Sequence, residues 1–445
     1  MINGLRPYPG TKPSGLPWLG AVPTHWDVRR NGRLFGARRE TGFPNLPILE
    51  VSIRSGVRIR DFDNGGRKQE MADRSKYQRA VRGDIAYNMM RMWQGAVGIA
   101  PADGLVSPAY VVARPFRETD AAYYAYLFRT AAYMREIDVF SRGIVPDRNR
   151  LYWESFKQMP SAYPPLDEQR QIIRFLDWHG AQTAKLVRAK KKIIALLNEQ
   201  KQAIIHRAVT RGLDPNAKLK PSGIPWLGDV PEGWEVKRLK WATRLQRGYD
   251  LPADKRIAGP YPVVSSGGVI DHHVDYKVRA PGVVMGRYGS TDAVFYIEEN
   301  FWPHNTSLFV TDFQRNLPRW CYYLLRTISK ADHAGKSAVP GVDRKDLFDI
   351  VVTVPPYDQQ IEVVRGIEDR SRELNSAISK VENEIALIQE FRTRLIADVV
   401  TGKLDVHAAV ASLPEVTEPE PIDDLTEVDD LDGATDAPEN EEVAA

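Results

Sequence analysis

KPSGLPWLGAVPTHWDVRR, residues Lys12–Arg30, returns as KPSGIPWLGDVPEGWEVKR at Lys220–Arg238, identical at 13 of 19 positions with both tryptophans kept. A match of that length does not arise by chance, so the chain is written as two copies of one unit. A second pair lies further along. Pro164-Pro165-Leu166-Asp167-Glu168-Gln169 opens a segment that ends Thr210-Arg211-Gly212-Leu213-Asp214. Pro355-Pro356-Tyr357-Asp358-Gln359-Gln360 opens one that ends Thr401-Gly402-Lys403-Leu404-Asp405. The openings are offset by 208 residues and the later motifs by 191, so the variable stretch between them is 17 residues longer in the first copy.

The segments bounded by the later motifs read as long helices. In the second, Leu374, Ile378, Val381, Ile385, Ile388, Leu395 and Val399 follow alternating steps of three and four, with Arg392 in one slot. That is the a/d seam of a coiled coil, which keeps one apolar edge turned toward a partner helix. In the first, Val187, Ile194, Leu197, Ile204 and Ala208 fall at matching places, interrupted by Lys190 and Lys201. Proline before each segment, acids in its first turn and Gly212 or Gly402 just past its end are sensible helix boundaries. About 44 residues rising 1.5 Å each make a rod of roughly 65 Å. Two such rods in one chain are expected to lie antiparallel with their seams buried against each other.

Between opening and helix the pattern changes. Gly83-Asp84-Ile85-Ala86-Tyr87 and Ala109-Tyr110-Val111-Val112-Ala113 in the first copy are short apolar runs cut by Gly and Pro. Val263-Val264, Val283-Val284-Met285, Ala293–Ile297 and Ser307–Val310 do the same in the second. These are strands with turns. A shorter helix follows each set, over Ala121–Ile137 and Leu317–Ser329, sharing Leu127-Phe128-Arg129-Thr130 and Leu324-Leu325-Arg326-Thr327. The expected class is α+β: two pseudo-repeated mixed globules joined by two long antiparallel coiled-coil helices. The division is 1–163, first globule; 164–212, first long helix; 213–354, second globule; 355–402, second long helix; 403–445, a disordered acidic tail.

Composition bounds what such a chain does. At 445 residues it suits two or three domains. No run of about 18 apolar residues exists, so no membrane span is expected. Met1–Arg6 lacks the basic-then-apolar pattern of a secretory signal. The single cysteine, Cys321, excludes an internal disulfide and a cysteine metal cluster. A cytoplasmic protein is expected. The net charge of +3 conceals an asymmetry, because residues 411–445 hold 13 Asp or Glu and no Lys or Arg. Without them, 61 basic face 45 acidic residues, about +16, with 14 Lys or Arg against 6 acids between Arg29 and Arg82. A body this basic points to a polyanion, and phosphates are the simplest partner. Prolines among the acids argue that the tail is disordered.

The doubled Gly-Leu/Ile-Pro-Trp-Leu-Gly…Val-Pro…Trp-Asp/Glu-Val openings, the two Pro-Pro-Leu/Tyr-Asp-Glu/Gln-Gln helix starts and the two Thr…Leu-Asp exits carry a resemblance. So does Gly83-Asp84…Met89-Met90-Arg91-Met92-Trp93-Gln94-Gly95 followed by Leu105-Val106-Ser107-Pro108-Ala109-Tyr110. The layout resembles the specificity subunit of type I restriction–modification systems, over nearly the whole chain apart from the acidic tail. That resemblance implies that each globule is a target-recognition domain gripping half of a split site in double-stranded DNA. It implies that the paired helices act as a ruler, since readers held apart by a rigid rod contact DNA segments about one turn apart or more, near 34 Å. It also implies docking of methyltransferase subunits, two in number, and of restriction/translocase subunits beyond them. S-adenosylmethionine, ATP and Mg are then expected only on those partners, with no cofactor and no catalysis in this chain.

Arg to guanine and Asn or Gln to adenine are the favoured base contacts. In the first globule the candidates are Arg91, Trp93, Gln94 and Arg142 in the Ser141-Arg142-Gly143 turn. In the second they are Arg287, Tyr288 and Ser290 of Gly286–Ser290, with Lys336 of Gly335-Lys336-Ser337. The alternative for each is a core aromatic or a solvated cation. The helix positions Val187, Ile194, Leu197, Ile204, Leu374, Ile378, Val381, Ile385, Ile388 and Leu395 are candidates for the spacer seam and subunit docking. Trp18, Trp26, Trp226 and Trp234 read as hydrophobic anchors of the globules. No Gly-x-x-x-x-Gly-Lys-Ser/Thr loop and no Asn/Asp-Pro-Pro-aromatic tetrapeptide is present, which disfavours a self-contained translocase, methyltransferase or nuclease. Asp271-His272-His273 is read as a polar strand end, not a metal site. A protein scaffold and a solitary DNA-binding regulator also fit a duplicated chain; the basic body opposes the first.

Overall fold

Proline and glycine punctuation makes each repeated opening a hairpin. Gly15 and Gly20 take positive φ (77° and 73°), and Thr11–Pro13 pairs antiparallel with Ala21–Pro23. Gly223 and Gly228 do the same for Leu219–Pro221 and Asp229–Pro231. The computed structural model describes residues 4–60, 74–143, 149–287, 293–328, 342 and 344–414. The chain divides into two units, 1–189 with 384–445, and 190–383. Among the described residues the helices are α1 (Ala121–Phe128), α2 (Ala131–Phe140), α3 (Trp153–Phe156), α4 (Leu166–Arg211), α5 (Pro318–Thr327), α6 (Arg344–Phe348), α7 (Tyr357–Val400) and α8 (His407–Ala411).

In the first unit a four-stranded antiparallel sheet runs in the order Phe35–Arg38, Tyr110–Pro115, Ile85–Asn88, Val97–Ile99. α1 and α2 close a core of Trp26, Phe35, Tyr87, Tyr123, Tyr124, Phe128, Tyr133 and Phe156. Asp27–Arg30, at the end of the opening, pairs with Pro160–Tyr163, the strand that leads into α4. The second unit repeats this plan. Its sheet runs Arg244–Arg247, Ser307–Asp312, Gly282–Gly286, Val294–Ile297, and Glu235–Arg238 pairs with Val351–Val354 ahead of α7. A three-stranded sheet of Gly268–His273, Tyr261–Ser265 and Trp302–Pro303 is added to it.

The last residue of each helix-start motif does one job twice. Gln169 accepts the Asp120 N–H, at the cap of α1, and donates to the Pro164 carbonyl. Gln360 accepts the Leu317 N–H, at the cap of α5, and donates to the Pro355 carbonyl. A single buried amide thereby joins the long helix to the shorter one, satisfying backbone groups that would otherwise be orphaned. The preceding residue differs. Gln359 accepts from the Trp234 indole at 2.7 Å. Glu168 instead takes the Tyr8 hydroxyl at 2.6 Å and lies 2.7 Å from His25 Nε2, while the buried Trp26 indole N–H has no partner among the described residues.

The helix exits dock where the openings fold. In the first unit the Val400 carbonyl accepts from the Tyr123 hydroxyl, and Gly402 (φ 77°) lies against Pro23 and Trp26. In the second the Val209 carbonyl accepts from Thr353, and Gly212 (φ 75°) lies against Trp234. Each glycine ends its helix in the left-handed region that only glycine adopts cheaply. Within each unit, therefore, one long helix leaves the globule while the other arrives at it, and the two segments run antiparallel. His179 meets Phe391 in the first unit, and Lys201 donates to Asn375 in the second. The seam positions of both helices are the half-buried or buried ones: Val187, Ile385, Ile388 and Leu395 in the first unit, Ile194, Leu197, Ile204, Leu374, Ile378 and Val381 in the second. The interruption at Lys201 is a half-buried seam position that carries its own cross-helix hydrogen bond.

Three expectations are corrected. The acidic tail does not begin at Lys403: residues 403–414 are ordered, Val406, Ala409 and Val410 are buried, and the Asp405 N–H bonds the Arg6 carbonyl. Those apolar side chains complete the first core; residues 415–445 lie outside the described residues. The helix expected over Ala121–Ile137 is two. Thr130 donates to the Leu127 carbonyl and accepts from the Tyr133 N–H, ending α1 and capping α2. Finally, Trp226 is no anchor, being 38% exposed, whereas Trp26 and Trp234 are buried and Trp18 packs edge-on against Tyr133.

Gly402→Ala would put a Cβ 2.4 Å from Pro23 and 2.9 Å from Trp26, whereas at Gly212 the nearest atom is 3.3 Å away on Trp234. The expected losses are about 3 kcal/mol for the first and about 1 kcal/mol for the second, from overpacking plus backbone strain against strain alone. Urea unfolding followed by tryptophan fluorescence measures both. Equal shifts of the two variants would contradict this packing.

Candidate nucleic-acid interface

Two of the candidate cations, Arg91 and Arg287, come just past the third strand of each four-stranded sheet. In the first unit Asn88 ends the strand, and its side-chain oxygen accepts the Met90 N–H in a tight turn. Met92 is buried beneath, and Gly95 turns back at φ 94°. This leaves Arg91 and Trp93 half-buried and Gln94 exposed. The Trp93 indole N–H is committed to the Met90 carbonyl at 2.9 Å, so this residue offers a ring face and no donor. Arg142 comes to the same place by another route. It forms an isolated antiparallel bridge with Arg150, and the adjacent Leu151 N–H donates to the Met89 carbonyl at 2.8 Å. Arg91, Trp93, Gln94 and Arg142 are thus brought to one edge.

The second unit has the same wiring. Arg287 follows strand Gly282–Gly286, its N–H bonds the Thr306 carbonyl, and its carbonyl accepts from Val342. That last bond is the counterpart of Leu151 to Met89. Tyr288, Ser290 and Lys336 lie outside the described residues. Arg150 is a residue that sequence reasoning missed; only its pairing across the chain reveals it. Beside the first loop lies a cleft of about 280 Å³ lined by Arg38, Arg39, Gln78, Tyr110, Tyr152 and Trp153 among others.

Not every early arginine faces outward. Asp84, almost fully buried, accepts from Arg38 at 2.6 Å and from the Val81 N–H, and its hydrogen bond is the main reason the Arg38 guanidinium is held above its ordinary pKa. Arg79 binds Asp103 at 2.8 Å, which holds that carboxyl below its usual range. Arg129 donates to the Ile53 and Arg54 carbonyls, and its burial lowers its pKa. Arg29 stacks over Tyr163. The basic excess between Arg29 and Arg82 is therefore partly structural.

Among the described residues no cluster of three or more His, Cys, Asp or Glu could hold a metal ion. His273 is buried against Trp302 and bonds the Ile257 backbone, as a strand-end residue would. Cys321 is buried, and desolvation pushes its thiol well up. Among the described residues no helix is long and apolar enough to cross a membrane.

The two α+β units thus repeat one sheet order, and Arg91 and Arg287 both follow its third strand. No protein-family model matches the chain. A protein of Methanocaldococcus jannaschii bearing the name type I restriction enzyme MjaX specificity subunit is 22% identical over 426 residues, 87% of this chain and 96% of that one. The EcoKI specificity subunit of Escherichia coli K12 is 23% identical over 326 residues, 66% of this chain and 68% of that one. A solved chain of a type I restriction–modification system superposes with a TM-score of 0.62 at 13% identity, covering 86% of this chain and 99% of that one. The chain is therefore similar, along nearly its whole length, to type I specificity subunits, the same resemblance that the doubled motifs carry.

Asp84→Ala would leave the Arg38 side chain, only 12% exposed, without its main counter-charge. Removing one partner of such a pair costs about 3 kcal/mol. Thermal unfolding should show that loss, with Asp84→Asn less damaging; an unchanged midpoint would assign Arg38 to the surface.

Proposed function

We propose that this chain is the DNA-recognition subunit of a type I restriction–modification complex, binding a bipartite duplex target with one half-site per globule. The observation that carries this reading is the repetition of one sheet in both copies, with Met89 and Arg287 bonded alike just past its third strand. Similarity to specificity subunits over nearly the whole length supports the same assignment. Residues 1–163 and 213–354 are the target-recognition domains, and α4 and α7 are the spacer between them. Because a protein that contacts two short sequences does not read what lies between, the gap is measured rather than recognised.

In this reading the chain has no activity of its own and carries no cofactor. S-adenosylmethionine belongs to methyltransferase subunits, two of which dock on the long helices. ATP and Mg belong to restriction/translocase subunits. The complex acts in the cytoplasm, where the DNA is. The seam side chains of the helices serve the spacer, and Arg91, Gln94 and Arg287 approach base edges.

Methylome sequencing of cells that express the chain with its methyltransferase tests the proposal. The expected result is a two-part motif with an unspecified gap. Exchanging residues 30–160 for those of another such chain should change one part only. A single contiguous motif, or a change in both parts, sinks the reading.

A further inference from the structure

Arg142 and Arg150 exchange both backbone hydrogen bonds, Arg142 N–H to the Arg150 carbonyl at 3.0 Å and Arg150 N–H to the Arg142 carbonyl at 2.9 Å. Residues directly opposite in an antiparallel pair project their side chains from the same face, with Cβ atoms about 5.5 Å apart. Two arginine side chains therefore leave the bridge from one face, and both residues are exposed. Like charges in that position repel, and no carboxylate among the described residues forms an ion pair with either. The nearby Asp138 carboxylate accepts from Asn149 instead. The base of the bridge is not loose: Ser141 bonds back to the Ile137 carbonyl at the end of α2, and Leu151 and Ile137 are fully buried on either side.

Resting on the DNA-recognition reading, we propose that Arg142 and Arg150 form a clamp for a backbone phosphate of the first half-site. An anion between the two groups turns their repulsion into paired charge-assisted hydrogen bonds. A phosphate suits the geometry better than a base edge. Reading a guanine needs one arginine buttressed in a fixed plane, whereas these two side chains have no supporting hydrogen bond among the described residues, and a phosphate accepts from many directions. The Leu151 bond to Met89 ties the clamp to the Arg91–Gln94 loop. It thereby sets the register in which that loop meets its bases.

The test measures duplex binding against salt for the chain purified with its co-expressed methyltransferase. The probes are duplexes with and without the methylated motif, and the variants are Arg142→Ala, Arg150→Ala, the two together, and Arg150→Lys. Each alanine variant should weaken binding to both duplexes, and only the double variant should reduce the slope of log affinity against log salt by about 0.9, the value for one phosphate no longer neutralised. Arg150→Lys should keep most of the slope, and all variants should methylate the same sequence. Thermal unfolding at the wild-type midpoint excludes misfolding, and the lysine variant preserves the test if alanine does not fold. A wild-type slope in the double alanine variant overturns the clamp while leaving the DNA-recognition reading intact. A changed base in one half-site assigns the pair to base reading and overturns it as well. Salt-independent binding by the wild-type complex defeats the underlying reading itself.

Discussion

Each unit is closed by one junction, where the end of a long helix meets the second tryptophan of an opening motif. Burying Trp26 completely is worth about 4–6 kcal/mol as an upper bound. The same contact fixes where the helix stops, because only glycine fits between Pro23, the indole and the last helical turn. In the first unit this junction also joins the two ends of the chain: residues 4–26 pack with residues 398–410. The second unit makes the junction locally, from Gly212 and the Trp234 that soon follows.

A frame built this way suits a reading head. The motifs that recur are all spent on the frame: tryptophan to glycine, glutamine to helix cap, strand to strand. What varies between the copies lies in the sheets and the loops they present. The first unit adds hairpins at Leu49–Ile59 and pairs Gln78–Ala80 with Gly104–Val106, and the second adds a three-stranded sheet. The openings and the helix-start motifs take no part in these additions; of the shared motifs it is Arg129 of Leu127–Thr130 that reaches one, bonding the Ile53 and Arg54 carbonyls. Loops on a rigid scaffold are where binding specificity is usually carried.

The seam of the second helix was legible position by position, because a period of 3.5 is a local property of the chain. The first was harder, since two of its positions are lysines. Lys201 sits there because its long apolar stem covers the seam while its ammonium reaches Asn375. The break between α1 and α2 was hidden by continuous helix-forming residues on both sides of one capping threonine. The ordered stretch after Lys403 was hidden by the acidic composition that begins only a few residues later.

For the candidate site, the residues by themselves point to the loop and do not rank its members. Duplication, element types, helix ends and the charge asymmetry are written in short-range patterns, each fixed by residues that are neighbours along the chain. The folded protein was needed wherever partners are distant: that Gly402 closes on Trp26 and not on Trp234, that Arg38 and Arg79 are spent on Asp84 and Asp103, and that Arg142 stands opposite Arg150. An arginine looks the same in a sequence whether it neutralises a buried carboxylate or waits for a phosphate. Its role is set by the charge that stands within a few ångströms, and only folding chooses that neighbour.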